Sequence, residues 1–284
     1  MRKLGKPMNT LKKVTSSYFF GRVLATRSFW IVEAFLIAVM AADFFRQINR
    51  GDVLSGYAST FLAGWISFSG HLTWVVVLLV LPIYLYGAVV KNFIEDQKSG
   101  EQLLVISRIG RSRYILKTYG STFIFGFVVL FFPLLTNLLL VKLTLPFLPN
   151  NMIRTFWEAF GNTVGMVKKE EDMQFVVWQM AHGGLAWLLY NTLAGIFSGL
   201  VAVSMMTLAR FFRKSYQVLS LSILLYYLGV SYKDNILASK GIHPLLPVLF
   251  SDWWHNIALV FGVLLAFNLV MHWYLSGEEE LIEA

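Results

Sequence analysis

Long apolar runs alternate with short polar segments along this 284-residue chain. Six of the runs approach the roughly 20 residues that a helix needs to cross about 30 Å of hydrocarbon. They lie at about 28–46, 71–93, 118–141, 183–208, 216–231 and 256–275. The pattern predicts an all-α integral membrane protein whose residues 1–284 form one domain, a six-helix transmembrane bundle. The fifth run is short for a crossing and needs a locally thin bilayer or protein neighbours.

The segment before the first run has a different pattern, in which basic and apolar residues are mixed. Apolar residues recur at helical spacing between residues 9 and 24, with basic residues between them: Leu11, Val14, Tyr18 and Phe19, and Lys12, Lys13 and Arg22. This pattern is typical of a helix that lies in the membrane interface. We expect residues 1–27 to form a cytoplasmic interfacial helix before the chain turns into the membrane at Ser28. The alternative is a frayed basic tail.

Composition supports a membrane protein and excludes a soluble one. Hydrophobic residues make up 57% of the chain and charged residues 14%, whereas soluble proteins have about 25% charged residues. Two soluble domains would therefore lack the polar residues to cover their surfaces. The absence of cysteine excludes disulfides, thiol nucleophiles and cysteine-ligated metal centres.

The basic residues predict the orientation of the chain. Sixteen of the 24 Lys and Arg residues lie in the N-terminal segment and in the loops that follow the second and fourth runs. The positive-inside rule places these segments, and with them both termini, in the cytoplasm. The net charge of +8 therefore indicates contact with anionic membrane lipids, and no nucleic-acid partner is expected.

The cytoplasmic segment from Phe93 to Lys117 carries the most informative pattern. An acidic pair precedes a short helical run, Glu101 to Ser107, which is bounded by Gly100 and Gly110. Glycines permit sharp reversals of the chain, and exposed leucines on such a helix need a partner to cover them. We therefore expect residues 94–112 to form a docking loop, with an ordinary basic connector as the alternative.

This segment resembles the cytoplasmic loop of permease subunits of ATP-binding-cassette (ABC) transporters of the type-2 exporter family. The residues that carry the resemblance are Glu95, Asp96, Gly100, Glu101, Leu103, Leu104, Ser107, Arg108, Tyr114 and Lys117, in that order. The six-span plan, with both ends inside, also matches. The resemblance implies that the loop contains the coupling helix, which docks on a cytoplasmic ABC ATPase subunit. It also implies a second permease copy or paralogue, in a homo- or heterodimer, in a bacterial cell membrane.

The chain is not predicted to be an enzyme by itself or to hold a cofactor. It contains no GxxxxGK[ST] phosphate loop, so ATP and Mg are expected on the partner ATPase. None of its five histidines belongs to an HExxH motif or has another histidine or a carboxylate at a recognised ligand spacing. No metal site or catalytic residue is therefore predicted.

Two features inside the apolar runs have both a structural and a functional interpretation. Glu33 and Asp43 are ionisable groups within the first run. Such groups indicate function by default, but both lie close enough to a helix end to reach an interface. Gly195 and Gly199 form a GxxxG pattern, which permits close helix packing within one bundle or between two copies.

The predicted outer loop, residues 142–182, has an apolar helical face. Ile153, Phe156, Trp157 and Phe160 recur at i, i+3, i+4 and i+7. Interfacial helices that cap the bundle explain this face. The functional alternative is an outer gate that holds an amphipathic substrate, with Phe156, Trp157, Phe160 and Glu33 as possible pathway or gate residues.

The function that these patterns predict is ATP-driven export. The spans contain few charged groups, which favours an amphipathic or hydrophobic cargo such as a peptide, an antibiotic or a lipid-linked molecule. An ion-coupled secondary transporter is one alternative, with Glu33 as its plausible coupling carboxylate. A membrane-embedded enzyme is a weaker one, since no convergent nucleophile and base are found.

Overall fold

The computed structural model describes residues 18–50, 80–144, 183–212, 214–232 and 261–273, and these residues contain helices but no strand. The helices, numbered in chain order, are α1 Tyr18–Ala25, α2 Arg27–Arg50, α3 Leu81–Leu85, α4 Lys91–Ser99, α5 Glu101–Ile109, α6 Arg111–Thr144, α7 Gly183–Phe211, α8 Ser215–Tyr232 and α9 Phe261–Trp273. A π-helical turn, Tyr86–Val90, joins α3 to α4. The all-helical prediction is confirmed for the described residues.

Two of the described helices are long and apolar enough to cross a membrane. Their apolar parts are Arg111–Thr136 of α6, with 26 residues, and Asn191–Phe211 of α7, with 21 residues. The pair formed by α1 and the Arg27–Ala42 part of α2 passes the same test, although it is bent by 63°. Among the described residues, two helices, or three with the bent pair, could thus cross a membrane, and the finer expectation of six spans stays a prediction.

Helix ends differ from the predicted runs where polar residues continue a helix. α6 begins at Arg111, well before the predicted start at 118, because Gly110 ends the preceding helix and the basic residues after it are already helical. The predicted 94–112 loop is likewise helical on both sides of Gly100. The bend before α2 lies at Thr26 rather than at Ser28.

α6 and α7 form the most extensive helix contact among the described elements. The contact depends on small residues: a Cβ atom placed on Gly199 would lie only 2.8 Å from the backbone oxygen of Phe123. The buried hydroxyl of Ser198 donates a hydrogen bond of 2.6 Å to the backbone oxygen of Gly126. Small side chains let helices approach this closely. Gly195 and Gly199 therefore pack inside this chain, against α6.

α2 packs against α6 through aromatic side chains. Phe29 is buried, and its ring meets that of Phe125 edge-on, with 5.4 Å between the ring centroids. Edge-to-face pairs are favourable because the positive ring edge meets the negative ring face. Pro133 lies inside α6 without ending the helix, as membrane helices tolerate where neighbours satisfy the freed backbone groups. The bent pair α1–α2 is in this way attached to the α6–α7 core.

Candidate functional site

The short helix α5 is bounded by two glycines with positive φ angles, which other residues rarely adopt. Gly100 has a φ of 76° and Gly110 a φ of 81°. Glycine adopts these angles without a steric penalty because it has no Cβ. The two predicted chain breaks and the short helix between them are therefore confirmed, and the helix extends to Ile109 instead of ending at Ser107.

α5 has an inner face and an outer face. Val105, Ile106 and Ile109 are partly buried against the hydrophobic core. Leu103 and Leu104 point outward, with 71% and 64% of their surface exposed. Two adjacent exposed leucines on a fixed helix form an apolar patch that another surface can cover.

Two more predicted coupling residues lie at the C-terminal end of α5. Ser107 donates a hydrogen bond of 2.9 Å to the backbone oxygen of Leu104, and Arg108 is exposed. A hydroxyl that donates its proton to the preceding turn of its own helix does not donate it to a partner. The outer face of α5 therefore offers two apolar side chains and a basic one.

Arg22 of α1 joins the two acidic residues that flank Gly100. Its guanidinium forms ion pairs with Asp96 of α4 and with Glu101 of α5, the second at 2.8 Å. The same guanidinium donates a hydrogen bond of 2.8 Å to the hydroxyl of Tyr18. The side chains of Arg22 and Asp96 are only 26% and 11% exposed, so solvent screens this pair less than a surface pair. We call Arg22, Asp96 and Glu101 the charged corner.

Two side-chain hydrogen bonds connect α4 to neighbouring helices in the same region. The side-chain amide of Asn92 donates a hydrogen bond of 3.0 Å to the hydroxyl of Thr26, at the bend between α1 and α2. Lys98 donates one of 3.0 Å to the hydroxyl of Ser215, the first residue of α8. α4 is therefore connected by side chains to the start of α2 and to the start of α8.

The two residues of the predicted acidic pair, Glu95 and Asp96, lie in different environments. Glu95 is 55% exposed and lies 3.6 Å from Lys91, one turn earlier on its own helix. Asp96 instead belongs to the charged corner and is buried. Neighbouring residues on a helix point about 100° apart, which explains why one faces solvent and the other faces α1.

The last two predicted coupling residues lie in the first turns of α6. Tyr114 is buried, and its ring centroid lies 5.6 Å from that of Phe19 on α1. Lys117 follows about one turn later and is partly exposed. The structure thus brings α1 against both ends of the predicted coupling segment. A direct contact of Asp96 or Tyr114 with a partner would require α1 to move, and their coupling role stays a prediction.

The remaining predicted site residues are not gathered at this place. Glu33 is buried in α2, and its Oε1 atom has no hydrogen-bond partner among the described residues. Asp43 lies in α2, within the described backbone. Phe156, Trp157 and Phe160 fall outside the described residues, as does the segment 1–17. No group of three His, Cys, Asp or Glu residues in the described part of the chain is placed to hold a metal ion.

The contacts of Arg22 were not predicted from the sequence. Arg22 and Glu101 are 79 positions apart, so no local pattern connects them. The available signal was chemical: a buried carboxylate such as Asp96 requires a cation or hydrogen-bond donor nearby. The sequence placed Arg22 on the interfacial helix without indicating which acid it meets.

Comparisons with known proteins give a relative but no family. The chain is 23% identical over 234 residues to "Uncharacterized protein YybM" of Bacillus subtilis (strain 168), an alignment that covers 80% of this chain and 88% of the relative. No family model matches the chain. No solved structure matches it either. The relative's name states no activity.

Proposed function

We propose that this chain is the transmembrane permease subunit of an ATP-driven ABC exporter in a bacterial cell membrane. The observation that carries the proposal is the outer face of α5, where Leu103 and Leu104 are exposed while the inner face packs on the core. A rigid helix with two exposed leucines suits a pocket on a cytoplasmic ATPase. Two permease copies, identical or paralogous, and two ATPases form the working unit.

The proposed membrane setting has six spans and both termini in the cytoplasm. The location in a membrane is supported by the two or three helices that are long and apolar enough to cross one. It is also supported by large apolar side chains on their outward faces, such as Ile31 at 68% and Leu116 at 75% exposure. Water disfavours such exposure, whereas lipid tails do not.

The charged corner explains how motion of α5 reaches the membrane. When the ATPases close on ATP, α5 moves with the surface that it docks on. Arg22 holds α5 to α1 through Glu101, and α1 continues into α2 after the 63° bend at Thr26. A displacement of α5 therefore changes the bend and tilts α2, while α6 moves because it follows α5 directly after Gly110.

The proposed cargo is amphipathic or hydrophobic, such as a peptide, an antibiotic or a lipid-linked molecule. Apolar side chains dominate the described helix surfaces. Transfer of an ionic cargo along such surfaces would cost the desolvation of its charges.

Removal of the two leucines tests the proposal. Leu103→Ala with Leu104→Ala truncates an exposed patch, so the bundle should keep its stability. Truncation of a central interface anchor commonly costs 2 kcal/mol or more of binding. The full tagged chain is purified from membranes, and a co-purifying protein with a Walker motif is quantified by mass spectrometry. We expect at least a tenfold loss of this ATPase from the double variant.

Leu224→Ala is the matched control, because Leu224 is 54% exposed but lies on α8, outside the short helix. It should retain the ATPase at the wild-type level. If no Walker-motif ATPase accompanies the wild type, or if the double variant retains it fully, the exporter assignment is wrong.

Cysteine labelling tests the proposed orientation. The chain has no native cysteine, so a single introduced one gives no background from this polypeptide. A cysteine at Ser99 or Ser215 should be shielded from an impermeant reagent in intact cells, and one at Asn162 or Ser239 should react. External labelling at Ser99 would place α5 outside the cell and exclude docking to a cytoplasmic ATPase.

A second candidate function is ion-coupled transport, and the burial of Glu33 favours it. A buried carboxyl group whose Oε1 atom has no hydrogen-bond partner among the described residues can exchange a proton during a transport cycle. Transport by reconstituted vesicles distinguishes the two functions. A secondary transporter runs on a proton gradient without ATP and stops in the Glu33→Gln variant, whereas the proposed exporter requires ATP and its ATPase.

A further inference from the structure

A groove between α6, α7 and α9 has the features of a lipid site. It has a volume of about 670 Å³, within the roughly 300–1,000 Å³ of ordinary ligand sites. Most of its wall is apolar and comes from Ile115, Leu116, Phe123, Leu200, Leu265 and Leu269. None of these residues belongs to the charged corner or to the exposed face of α5, so the groove is separate from the candidate coupling site.

Polar groups occupy one end of the groove. Arg111 and Ser112, at the start of α6, line this end, and His272, near the end of α9, also lines the groove. The ring of His272 lies against that of Tyr119, with 5.8 Å between centroids. Arg111 follows the last turn of α5, which carries Arg108, so a second positive charge lies close to it in the chain. A phosphate at this end would meet positive charge and hydrogen-bond donors.

Farther along the groove, buried side chains satisfy one another and leave an apolar wall. The hydroxyls of Tyr119 and Thr207 are 3.1 Å apart, and Thr207 donates a hydrogen bond of 3.3 Å to Oδ1 of Asn268. The amide of Asn268 donates one of 3.0 Å to Ser204. Because these groups are already paired, the deep part of the groove does not require a polar ligand. It suits hydrocarbon.

The length of the groove matches one leaflet of a bilayer. From Arg111 to Phe123, α6 rises about 18 Å at 1.5 Å per residue. Half of the hydrocarbon core is about 15 Å thick. A single acyl chain that starts at a headgroup beside Arg111 therefore ends near Phe123.

We propose that this groove binds an anionic phospholipid of the cytoplasmic leaflet, with its phosphate at Arg111 and one acyl chain between α6, α7 and α9. Basic pockets between membrane helices on the cytoplasmic side are suited to anionic headgroups. The lipid fills the space between α9 and the α6–α7 pair, and it holds α9 in place. The site does not depend on the exporter assignment, because it requires only that these helices lie in a membrane.

Native mass spectrometry of the full chain in detergent tests the headgroup end. The probes are dioleoyl phosphatidylglycerol and dioleoyl phosphatidylcholine, which have the same acyl chains but different net charge. We expect the wild type to retain phosphatidylglycerol more tightly. Arg111→Gln should lower its affinity about fivefold, the usual effect of one basic side chain near a headgroup. Arg113→Gln, a matched loss of charge outside the groove, should change it less than twofold.

The acyl end requires a different pair of variants. Leu265→Trp fills the groove, whereas Val263→Trp adds the same side chain at a position on α9 that is 62% exposed and outside the groove. Leu265→Trp should lower the retention of both lipids, and Val263→Trp should leave it unchanged. Equal effects of the two arginine variants would indicate diffuse surface attraction and overturn the proposal. So would wild-type retention in Leu265→Trp, or a wild type that retains neither lipid.

Discussion

The α6–α7 contact and the charged corner hold the chain together by opposite means. Between α6 and α7, small residues let the two backbones approach closely. A Cβ atom added to Gly126 would lie only 2.6 Å from the Cβ of Ala202. At the charged corner, one guanidinium serves two carboxylates, and Glu101 is 55% exposed. The first contact depends on shape and the second on charge.

The difference assigns different mechanical roles to the two regions. The dispersion attraction between closely packed atoms falls off steeply with distance. We therefore expect α6 and α7 to move together as one body. A partly exposed ion pair weakens gradually and can be replaced by water. We infer that α6 and α7 form the rigid part of the bundle, while α1 and α5 form a contact that can loosen and re-form.

The largest effect is expected when the α6–α7 contact is overfilled. Gly126→Ala places a methyl group 2.6 Å from the Cβ of Ala202 and 3.1 Å from the Cα of Gly199, neither of which can rotate away. Overpacking of this kind costs about 1–3 kcal/mol. We expect a clear fall in the thermal denaturation midpoint of the purified protein in detergent.

Two other glycines provide the controls for that prediction. In Gly195→Ala, the three atoms nearest to the new methyl group all belong to the ring of Phe127, which can turn. This variant should therefore lower the midpoint less than Gly126→Ala. Gly120→Ala faces open space and should be neutral or slightly stabilising, as alanine favours helix. Equal losses for all three variants would contradict the role of close packing at Gly126, because a Cβ atom at Gly120 meets no neighbour.

A double-mutant cycle between Arg22 and Asp96 should show the next largest effect. Arg22→Gln leaves the carboxylate of Asp96 without its counter-charge, and Asp96→Asn leaves Arg22 with only the exposed Glu101, so the coupling free energy should be about 1–2 kcal/mol. Hydrogen exchange of the amides in α1 measures it as local opening. The matched cycle, Lys91→Gln with Glu95→Gln, should give about 0.3 kcal/mol, because that pair is exposed on one helix. Equal coupling in both cycles would contradict a distinct charged corner.

Loss of Glu101 should have the smallest effect and the strongest dependence on salt. Its carboxylate is 55% exposed, and exposed pairs contribute about 0.2–1 kcal/mol. Glu101→Gln should slightly speed exchange in α1 at low salt and have no effect near 1 M salt, where the Debye length is about 3 Å. An effect of the same size at both salt concentrations would show that Glu101 acts through packing instead of charge.

Local patterns in the sequence predicted much of the fold. The apolar runs predicted the helices because burial and lipid contact both select apolar residues, and Gly100 and Gly110 predicted the ends of α5 because glycine adopts positive φ. The start of α6 at Arg111 was missed because basic residues are good helix formers that an apolar window does not count. Helix existence was therefore easier to predict than helix ends.

Long-range pairing in the candidate site was not predictable. By sequence alone, several basic residues near the predicted cytoplasmic face were equally suitable partners for Asp96 and Glu101. The choice of Arg22 depends on how α1 lies across α4 and α5, which is set by packing such as that of Phe19 on Tyr114. The burial of Glu33 follows from the same tertiary packing.

Crosslinking from the exposed face of α5 tests the proposed function most directly. In the otherwise cysteine-free chain, Leu104→Cys carries a photoactivatable crosslinker, and Arg113→Cys, exposed on α6, is the control. We expect irradiation of membranes to join the Leu104 variant, but not the Arg113 variant, to a protein that contains a Walker motif. A Leu104 variant that crosslinks to no such ATPase, or no better than the Arg113 variant, would contradict the coupling role of α5.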